Sequence, residues 1–327
     1  MNVFVTGANG FLGKAVVERL AKKNKVTAFL LHGTSTNGLE GLRNVKIAYG
    51  DILEKDSILR ALGKCKVVYH LAAAVRVPDF NKQQLYMLNV KGTENVLNAC
   101  VEKKVNKVIY ASTIAIYGKA KNHPKIIIDE DFPIYPVLNY AKTKLFGERL
   151  VKGICSKHKM NYIILRPSKL YGPGDKSLLP ILKIVNKGLS FTIGKGNGIT
   201  MPVYIDDAAD AFVLALNSKK KNQEYIITGL EFITKRKFIS IMAHSLGKKP
   251  RKIKIPVFPI MALAHIGQNL AILLKKNFPL VQKMQFFLAS RRYSIEKARK
   301  HLKYNPQVGI QEMVSKTLNW YKEQGLI

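Results

Sequence analysis

The first half of the chain alternates short apolar runs with longer stretches of helical spacing. The runs at 3–5, 26–31, 45–48, 67–70, 107–111 and 162–165 read as strands. They are apolar throughout rather than alternating, as expected where helices cover both faces of a sheet. Helical spacing follows the first run to about residue 22 and returns at about 84–102 and 138–157. Strands separated by helices predict a parallel, doubly wound sheet. After Pro173 the pattern loosens. Helices over about 177–187, 207–217, 236–246 and 311–324 alternate with short strands and Pro/Gly turns. This part reads as a smaller mixed α/β lobe over the C-terminal strand ends.

The segment Thr6-Gly7-Ala8-Asn9-Gly10-Phe11-Leu12-Gly13 lies between the first strand and the first helix. Gly7 permits a tight turn, Gly10 lets a pyrophosphate approach the backbone, and Gly13 lets the helix pack on the strand. Phe11 and Leu12 open the helix, whose free N–H groups and positive dipole end suit phosphates. The expected class is therefore α/β. A Rossmann-type dinucleotide-binding domain over 1–170 would be followed by a substrate-binding lobe over 171–327. That boundary is soft, because such lobes interleave with the sheet. The cofactor is NAD(P). NAD binders usually end the second strand with an acid, but here that place reads Leu30-Leu31-His32-Gly33, with no acid before Glu40. The missing acid leans toward NADP, with His32, Ser35, Lys14 or Arg43 near a 2′-phosphate.

Length and composition add limits. The 327 residues are 47% hydrophobic and 23% charged, which excludes a disordered chain and permits a large core without staples. Cys65, Cys100 and Cys155 are scattered and match no zinc or CxxC spacing, which fits a reducing, cytoplasmic compartment. No secretory leader and no metal constellation is expected. The charge is unusual: 54 Lys+Arg against 21 Asp+Glu give +33, and residues 151–327 hold 31 basic and only 9 acidic residues. Such an excess attracts anions such as nucleotides, acidic lipid or nucleic acid, or else it is a solvated lysine surface. Lys outnumbers Arg by 43 to 11. Bidentate phosphate reading favours Arg, so nucleic acid is the least favoured partner.

Tyr140-Ala141-Lys142-Thr143-Lys144 places Tyr140 and Lys144 on one helix face. An ammonium beside a phenol lowers its pKa and makes a general acid/base. The run Tyr110-Ala111-Ser112-Thr113-Ile114-Ala115-Ile116-Tyr117-Gly118 ends the fifth strand. A hydroxyl there faces the same crevice as the glycine turn.

Glycine turn, strand-end hydroxyl and YxxxK, in this order, resemble the extended short-chain dehydrogenase/reductases, the NAD(P)-dependent epimerase/dehydratase group. Gly50-Asp51, His70-Leu71-Ala72-Ala73, Asn89-Val90-Lys91-Gly92-Thr93, Arg166-Pro167-Ser168-Lys169-Leu170-Tyr171-Gly172-Pro173-Gly174-Asp175 and Val203-Tyr204-Ile205-Asp206-Asp207 extend the resemblance along nearly the whole chain. It implies that Asp51 and Ile52 meet the adenine and that Leu71, Ala72, Ala73 and Asn89 flank the cofactor. It further implies that Lys144 binds the nicotinamide ribose and that Pro167, Ser168 and Leu170 meet the carboxamide. Thr113 takes the place of the family serine, with Ser112 as the other candidate. Tyr140 would move the proton, Thr113 would hold the substrate oxygen, and Lys144 would tune Tyr140. Arg76, Thr113, Tyr171 and Met201 are expected to face the substrate. Asp206-Asp207 also reads as a helix N-cap followed by a first-turn acid.

Nucleotide-sugar enzymes of this group usually carry an Arg where this chain has Thr200. The segments around Tyr140 and Tyr171, and Tyr293-Ser294-Ile295-Glu296-Lys297-Ala298-Arg299, resemble the 3β-hydroxysteroid dehydrogenase and dihydroflavonol reductase branch. That resemblance implies oxidation of a secondary alcohol, or reduction of the ketone, on an apolar substrate. A nucleotide-sugar epimerase or dehydratase with transiently reduced NAD is the alternative. A non-catalytic scaffold on a membrane or nucleoprotein is a third reading. The apolar run 255–274 lies between Lys248-Lys249-Pro250-Arg251-Lys252 and Lys275-Lys276. It reads as a lobe helix over the pocket, or as a helix lying on an anionic membrane. His265 within it reads as a packed or solvated side chain. A homodimer through the Tyr140 helix and the 84–102 helix is the family-like assembly.

Overall fold

The computed structural model describes residues 1–75, 80–118, 126–273, 281, 284 and 288–327. Its main sheet is parallel and seven-stranded. It contains β1 (Asn2–Thr6), β2 (Lys25–Leu30), β3 (Val45–Tyr49), β4 (Val67–His70), β5 (Lys107–Ala111), β7 (Asn161–Pro167) and β12 (Gln223–Ile227), in the order β12-β7-β5-β4-β1-β2-β3. β1 is the switch point: Val5 pairs with Ala28 of β2 on one side and Tyr69 of β4 on the other. Open α/β sheets hold ligands at the strand ends beside such a point.

Alternate residues of each strand leave on opposite faces. Val3, Val5, Ile163 and Leu165 pack with α1 (Phe11–Leu20) and α7 (Ile205–Asn217). Phe4, Val108 and Ile164 pack on the other face with α2 (Lys55–Leu62), α4 (Gly92–Glu102) and α5 (Asn139–Lys157). Each such fully buried side chain is worth roughly 1.5–3 kcal/mol, against about 0–1 kcal/mol for an exposed ion pair. The two apolar layers therefore hold the sheet, and the continuous apolar strands follow from covering both faces.

The expected helix over 84–102 is interrupted. α3 (Lys82–Tyr86) runs into a π-helical turn, Met87–Lys91, before α4 begins. The buried Asn89 lies in that turn. Its amide accepts the Ala74 N–H at 2.8 Å and donates to the Ala74 carbonyl at 3.1 Å and to Thr143 Oγ1 at 3.0 Å. The wide turn thus spends its irregularity on fastening the segment after β4 to α5.

The later residues interleave with the sheet rather than standing apart. β12 pairs with β7 from Gln223↔Ile163 to Ile227↔Pro167, and α7 lies on the face of the sheet. Short pairs make up the lobe: β6 (Ile127–Ile128) with β15 (Arg292–Tyr293), β8 (Leu170–Tyr171) with β11 (Val203–Tyr204), β9 (Leu189–Ile193) with β14 (Arg251–Ile255), and β10 (Ile199–Thr200) with β13 (Ile233–Thr234). The helices α6 (Leu179–Asn186), α8 (Lys235–Ser245) and α9 (Val257–Leu273) separate these strands, and Glu296–Leu302 and Ile310–Glu323 close the chain. The capping role read for Asp206 is corrected, whereas Asp207 stands in the first turn as expected. Tyr204 occupies the cap of α7, and both acids lie in its first turn. Asp206 pairs with Arg19 at 2.9 Å, and Asp207 accepts the N–H groups of Gln307 and Val308 at 2.9 and 3.0 Å. Among the described residues no helix is long and apolar enough to cross a membrane, and no group of His, Cys, Asp and Glu is arranged to hold a metal.

Candidate active site

The glycine turn joins β1 to α1. Gly7 has φ +66°, and a Cβ there would lie 2.7 Å from Ala72 Cα, so the turn rests directly on the segment after β4. A Cβ on Gly13 would lie 2.0 Å from the Gly7 carbonyl oxygen. Gly10 occupies the cap of α1 without a side-chain cap, and no acid stands in the first turn. The first internal bond of the helix runs from Lys14 N–H to the Gly10 carbonyl at 2.9 Å. The N–H groups of Phe11, Leu12 and Gly13 therefore remain as donors, aimed where a diphosphate is matched by charge and geometry.

Beyond this turn, the exposed His32 stacks on Tyr49 with ring centroids 5.3 Å apart. The Asn9 amide ties the same loop down, donating to Thr34 Oγ1 at 3.0 Å and the Ser35 carbonyl at 2.8 Å. Asp51 Oδ1 accepts the Leu53 N–H at 2.9 Å, and Ile52 is buried against Gly92. Lys14 is half-buried and reaches Glu18 at 3.8 Å. The place expected for Arg43 is corrected: it precedes β3, whose Val45 pairs with Val26, so it lies by the start of β2, away from the strand end that follows Leu30. No acid ends β2.

His70 anchors the centre of the crevice. One ring nitrogen lies 2.8 Å from Thr6 Oγ1 and the other 2.9 Å from Thr93 Oγ1. Burial, with Lys144 nearby, pushes its pKa down to about 3, so the ring is neutral. Thr6 Oγ1 also accepts the Ala72 N–H at 3.3 Å, which orders Leu71, Ala72 and Ala73 beside the glycine turn.

The reacting groups meet at the end of β5. Thr113 caps the short 3₁₀ turn Ile114–Tyr117, its Oγ1 accepting the Ala115 N–H at 3.2 Å. The same side chain lies near enough to Tyr140, at the start of α5, to draw the pKa of its phenol down. Ser112 Oγ is buried and has no partner among the described residues. Of the two candidate hydroxyls, the structure brings Thr113 to Tyr140.

Lys144 departs from the sequence expectation. Its buried ammonium lies over the Tyr110 ring, 4.1 Å from the centroid. Burial pushes Lys144 down to about 7, with Glu148 acting in the opposite sense. Burial likewise pushes the Tyr140 phenol up to about 12, with Thr113 acting in the opposite sense. The expected lowering of Tyr140 by Lys144 is thus not found: desolvation dominates, and what pulls the phenol down comes from Thr113. Sequence reasoning also passed over Tyr110 as a site residue. A desolvated cation over an aromatic face gains up to about 2 kcal/mol, and an aromatic residue in an otherwise aliphatic strand was the available signal.

The residues present fit a dinucleotide. Besides the glycine cradle, the buried Oγ atoms of Ser112 and Ser168 are unpartnered among the described residues, and they follow the adjacent strands β5 and β7. Buried hydroxyls left unpaired are costly, and Ser168 belongs to the segment expected to meet the carboxamide of a nicotinamide. Pro167 ends β7 and is buried, and Leu170 lies partly buried in β8.

The lobe closes the other side. A Cβ on Gly174 would lie 3.3 Å from the Phe11 ring, so the loop after β8 rests on the glycine turn. Tyr171 packs on Phe238 with centroids 5.5 Å apart. Met201 is buried with Ile116 and Tyr117, its Sδ accepting the Tyr293 N–H at 3.1 Å, so packing occupies it. Arg76 lies outside the described residues. One buried ion pair holds the reacting elements together. Arg166 of β7 grips Glu148 of α5 through two bonds, at 2.9 and 2.8 Å, and donates to Tyr117 Oη at 2.8 Å.

Comparison with known proteins agrees with this geometry. Residues 3–228 match the model of the NAD dependent epimerase/dehydratase family. A 3β-hydroxysteroid-dehydrogenase/decarboxylase, isoform 2, of Arabidopsis thaliana is 30% identical over 96% of this chain, which spans 61% of that protein's length. The 2-alkyl-3-oxoalkanoate reductase of Shewanella oneidensis is 29% identical over 95% of this chain and 84% of its own. The crystal structure of a UDP-glucuronic acid 4-epimerase from Bacillus cereus, in complex with UDP-glucuronic acid and NAD, has a TM-score of 0.81 at 26% identity over 99% of this chain and 100% of that one. With its parallel sheet and glycine turn, the chain belongs to the NAD-dependent epimerase/dehydratase family, the extended short-chain dehydrogenase/reductases.

Proposed function

We propose that this protein is a dehydrogenase/reductase that moves a hydride between nicotinamide C4 and a secondary alcohol or ketone carbon. The observation that carries this reading is the nearness of the Thr113 side chain, just after β5, to the Tyr140 phenol. Tyr140 exchanges the proton of the substrate oxygen, and Thr113 holds that oxygen in place. Lys144, seated on Tyr110, reaches the cofactor ribose. The nicotinamide, when bound, supplies or accepts the hydride.

The substrate we propose is a 3-hydroxy or 3-oxo acid on an apolar body. The name of the Shewanella relative describes a 3-oxo acid, and a mouse relative, 28% identical, is a sterol-4-alpha-carboxylate 3-dehydrogenase, decarboxylating. Both names place a carboxylate on the carbon next to the reacting one. Here Arg291 donates to the Gly118 carbonyl at 2.6 Å and brings a cation against the turn that carries Thr113.

For the cofactor we propose NADP, because His32 and Ser35 follow the end of β2 and no carboxylate ends that strand to repel a 2′-phosphate. Titration of the purified protein with NADPH and NADH tests both points. NADPH should bind at least about tenfold tighter, a difference of about 1.4 kcal/mol. It should also turn over with a 3-oxo acid faster than with the ketone lacking the carboxylate. Equal or reversed affinities would discard NADP, and failure to bind either cofactor would discard the dehydrogenase. The likeness to the Bacillus epimerase favours a second reading, an epimerase that recycles its hydride on retained NAD. Purification with NAD that does not exchange would select it, although Thr200 stands where such enzymes carry Arg.

We further propose a cytoplasmic homodimer through α5 and the α3–α4 segment, whose Tyr86, Met87 and Phe146 are exposed at 41%, 40% and 47%. The three cysteines are buried and unpaired, which agrees with that compartment. Phe146→Glu should convert a two-chain mass to a single-chain mass in light scattering. A single-chain mass for the unaltered protein would end the dimer proposal.

A further inference from the structure

We propose that the face built by β14 and α9 docks on an anionic lipid bilayer. Two independent features of this face lead there, one apolar and one electrostatic.

The apolar feature is a helix turned the wrong way round for water. Along α9, Phe258, Leu263, Ile266 and Leu270 are exposed at 83%, 65%, 56% and 55%. Leu263, Ile266 and Leu270, with Pro259 before them, recur at the spacing of one helix face. A surface helix in a soluble domain turns such a stripe toward the core. Here the inward side is apolar too: Ala264 is buried, and Met261 and Ala262 are partly buried. Phe191 of the neighbouring β9 extends the outward patch.

The electrostatic feature lies in the same stretch of chain. Between Glu231 and Glu296 there are 13 Lys and Arg residues and no Asp or Glu. Lys248, Lys249, Arg251, Lys252 and Lys254 are exposed immediately before α9, three of them on β14.

These features together select the occupant. A second copy of this chain would bring the same positive charge to a symmetric contact. A nucleic acid would meet the lysines but leave the apolar stripe in water. An anionic bilayer satisfies both, with the stripe at the acyl boundary and the lysines among the headgroups. Among the described residues no helix is long and apolar enough to cross, and α9 would lie in the interface plane. A cavity of about 300 Å³, lined by Phe191, Lys235, Arg236 and Val257 among others, adjoins the first turn of α9. Docking would hold that cavity at headgroup level, where an amphipathic acid partitions.

The test is co-sedimentation of the full chain with vesicles of phosphatidylcholine, alone or mixed with phosphatidylglycerol. Binding should require phosphatidylglycerol and weaken with added salt. The double variant Leu263→Asn, Ile266→Asn should lower the bound fraction roughly tenfold, since two apolar anchors are lost. Lys252→Gln with Lys254→Gln should lower it less, and should remove part of the salt dependence. Both variants should keep the circular dichroism and the cofactor affinity of the parent. Equal binding to pure phosphatidylcholine, no binding to either vesicle, or unchanged binding of the Leu263/Ile266 variant would each overturn the proposal. So would self-association abolished by that variant, or retention on nucleic acid that depends on the lysines alone.

Discussion

Tyr140→Phe should lower kcat roughly a hundredfold to ten-thousandfold, the range general acid–base groups contribute. The substitution keeps the ring and removes only the phenol hydroxyl, whose pKa Thr113 draws down. Folding and cofactor affinity should therefore stay near those of the parent. The pH dependence gives a sharper reading. Oxidation of an alcohol needs the phenolate, and burial holds this phenol at about 12 in the cofactor-free site. The oxidation rate should therefore rise with pH over the working range below that value, whereas ketone reduction uses the neutral phenol and lacks this rise. Tyr140→Phe should flatten the oxidation profile. Thr113→Ser should retain most of the rate and Thr113→Val should not. A Tyr140→Phe variant with parental turnover would remove Tyr140 as the proton carrier and return the basic scaffold reading to the front.

Glu148→Gln should destabilise the protein by roughly 3–5 kcal/mol, because it leaves a buried guanidinium without its counter-charge. The side chains of Glu148 and Arg166 are each only 2% exposed. Burial works against charge on Arg166, and the bonds to Glu148 outweigh it. An exposed pair such as Lys316–Glu312 should be worth about 0–1 kcal/mol when cut in the same way. Urea unfolding with an unchanged slope would measure the difference. Adding Arg166→Met to Glu148→Gln should recover much of the loss, since the stranded charge goes with it. Activity should fall beyond what unfolding explains, because Arg166 also holds Tyr117 in the turn that carries Thr113. A loss below about 1 kcal/mol for Glu148→Gln would mean that water reaches the pair.

What was legible in the sequence was local. The strand, glycine turn and helix at residues 2–20 follow from patterns a few residues long, and so does the Tyr140–Lys144 spacing. The parallel sheet followed because strands apolar on both faces admit few other arrangements. Features made through space were hidden. The bed of Lys144 is a tyrosine 34 positions upstream on another element, and only the packing of α5 on β5 brings the two together. The π-helical turn exists because Asn89 must reach Ala74 and Thr143, and helical spacing is blind to such a demand. Asp206 looked like the cap of α7, and no local pattern reveals that Asp207, the first-turn acid, takes its partners from the backbone of residues 307–308. The mutual tuning of Lys144 and Tyr140 misled for a related reason. Spacing measures proximity along a helix, whereas the protonation of both groups is ruled by how deeply the lobe and sheet bury them.

The outermost strand carries a consequence for how this protein is made. β7 is buried along Tyr162–Pro167, yet its partner β12 lies about 60 residues further along the chain. At the roughly 5–20 residues per second of synthesis, β7 waits several seconds on the ribosome with an apolar edge open. An open edge of this kind pairs with whatever strand it meets. The nascent chain is thus at its most vulnerable when the cofactor half is already synthesised, and any fragment ending between β7 and β12 inherits that exposed edge permanently.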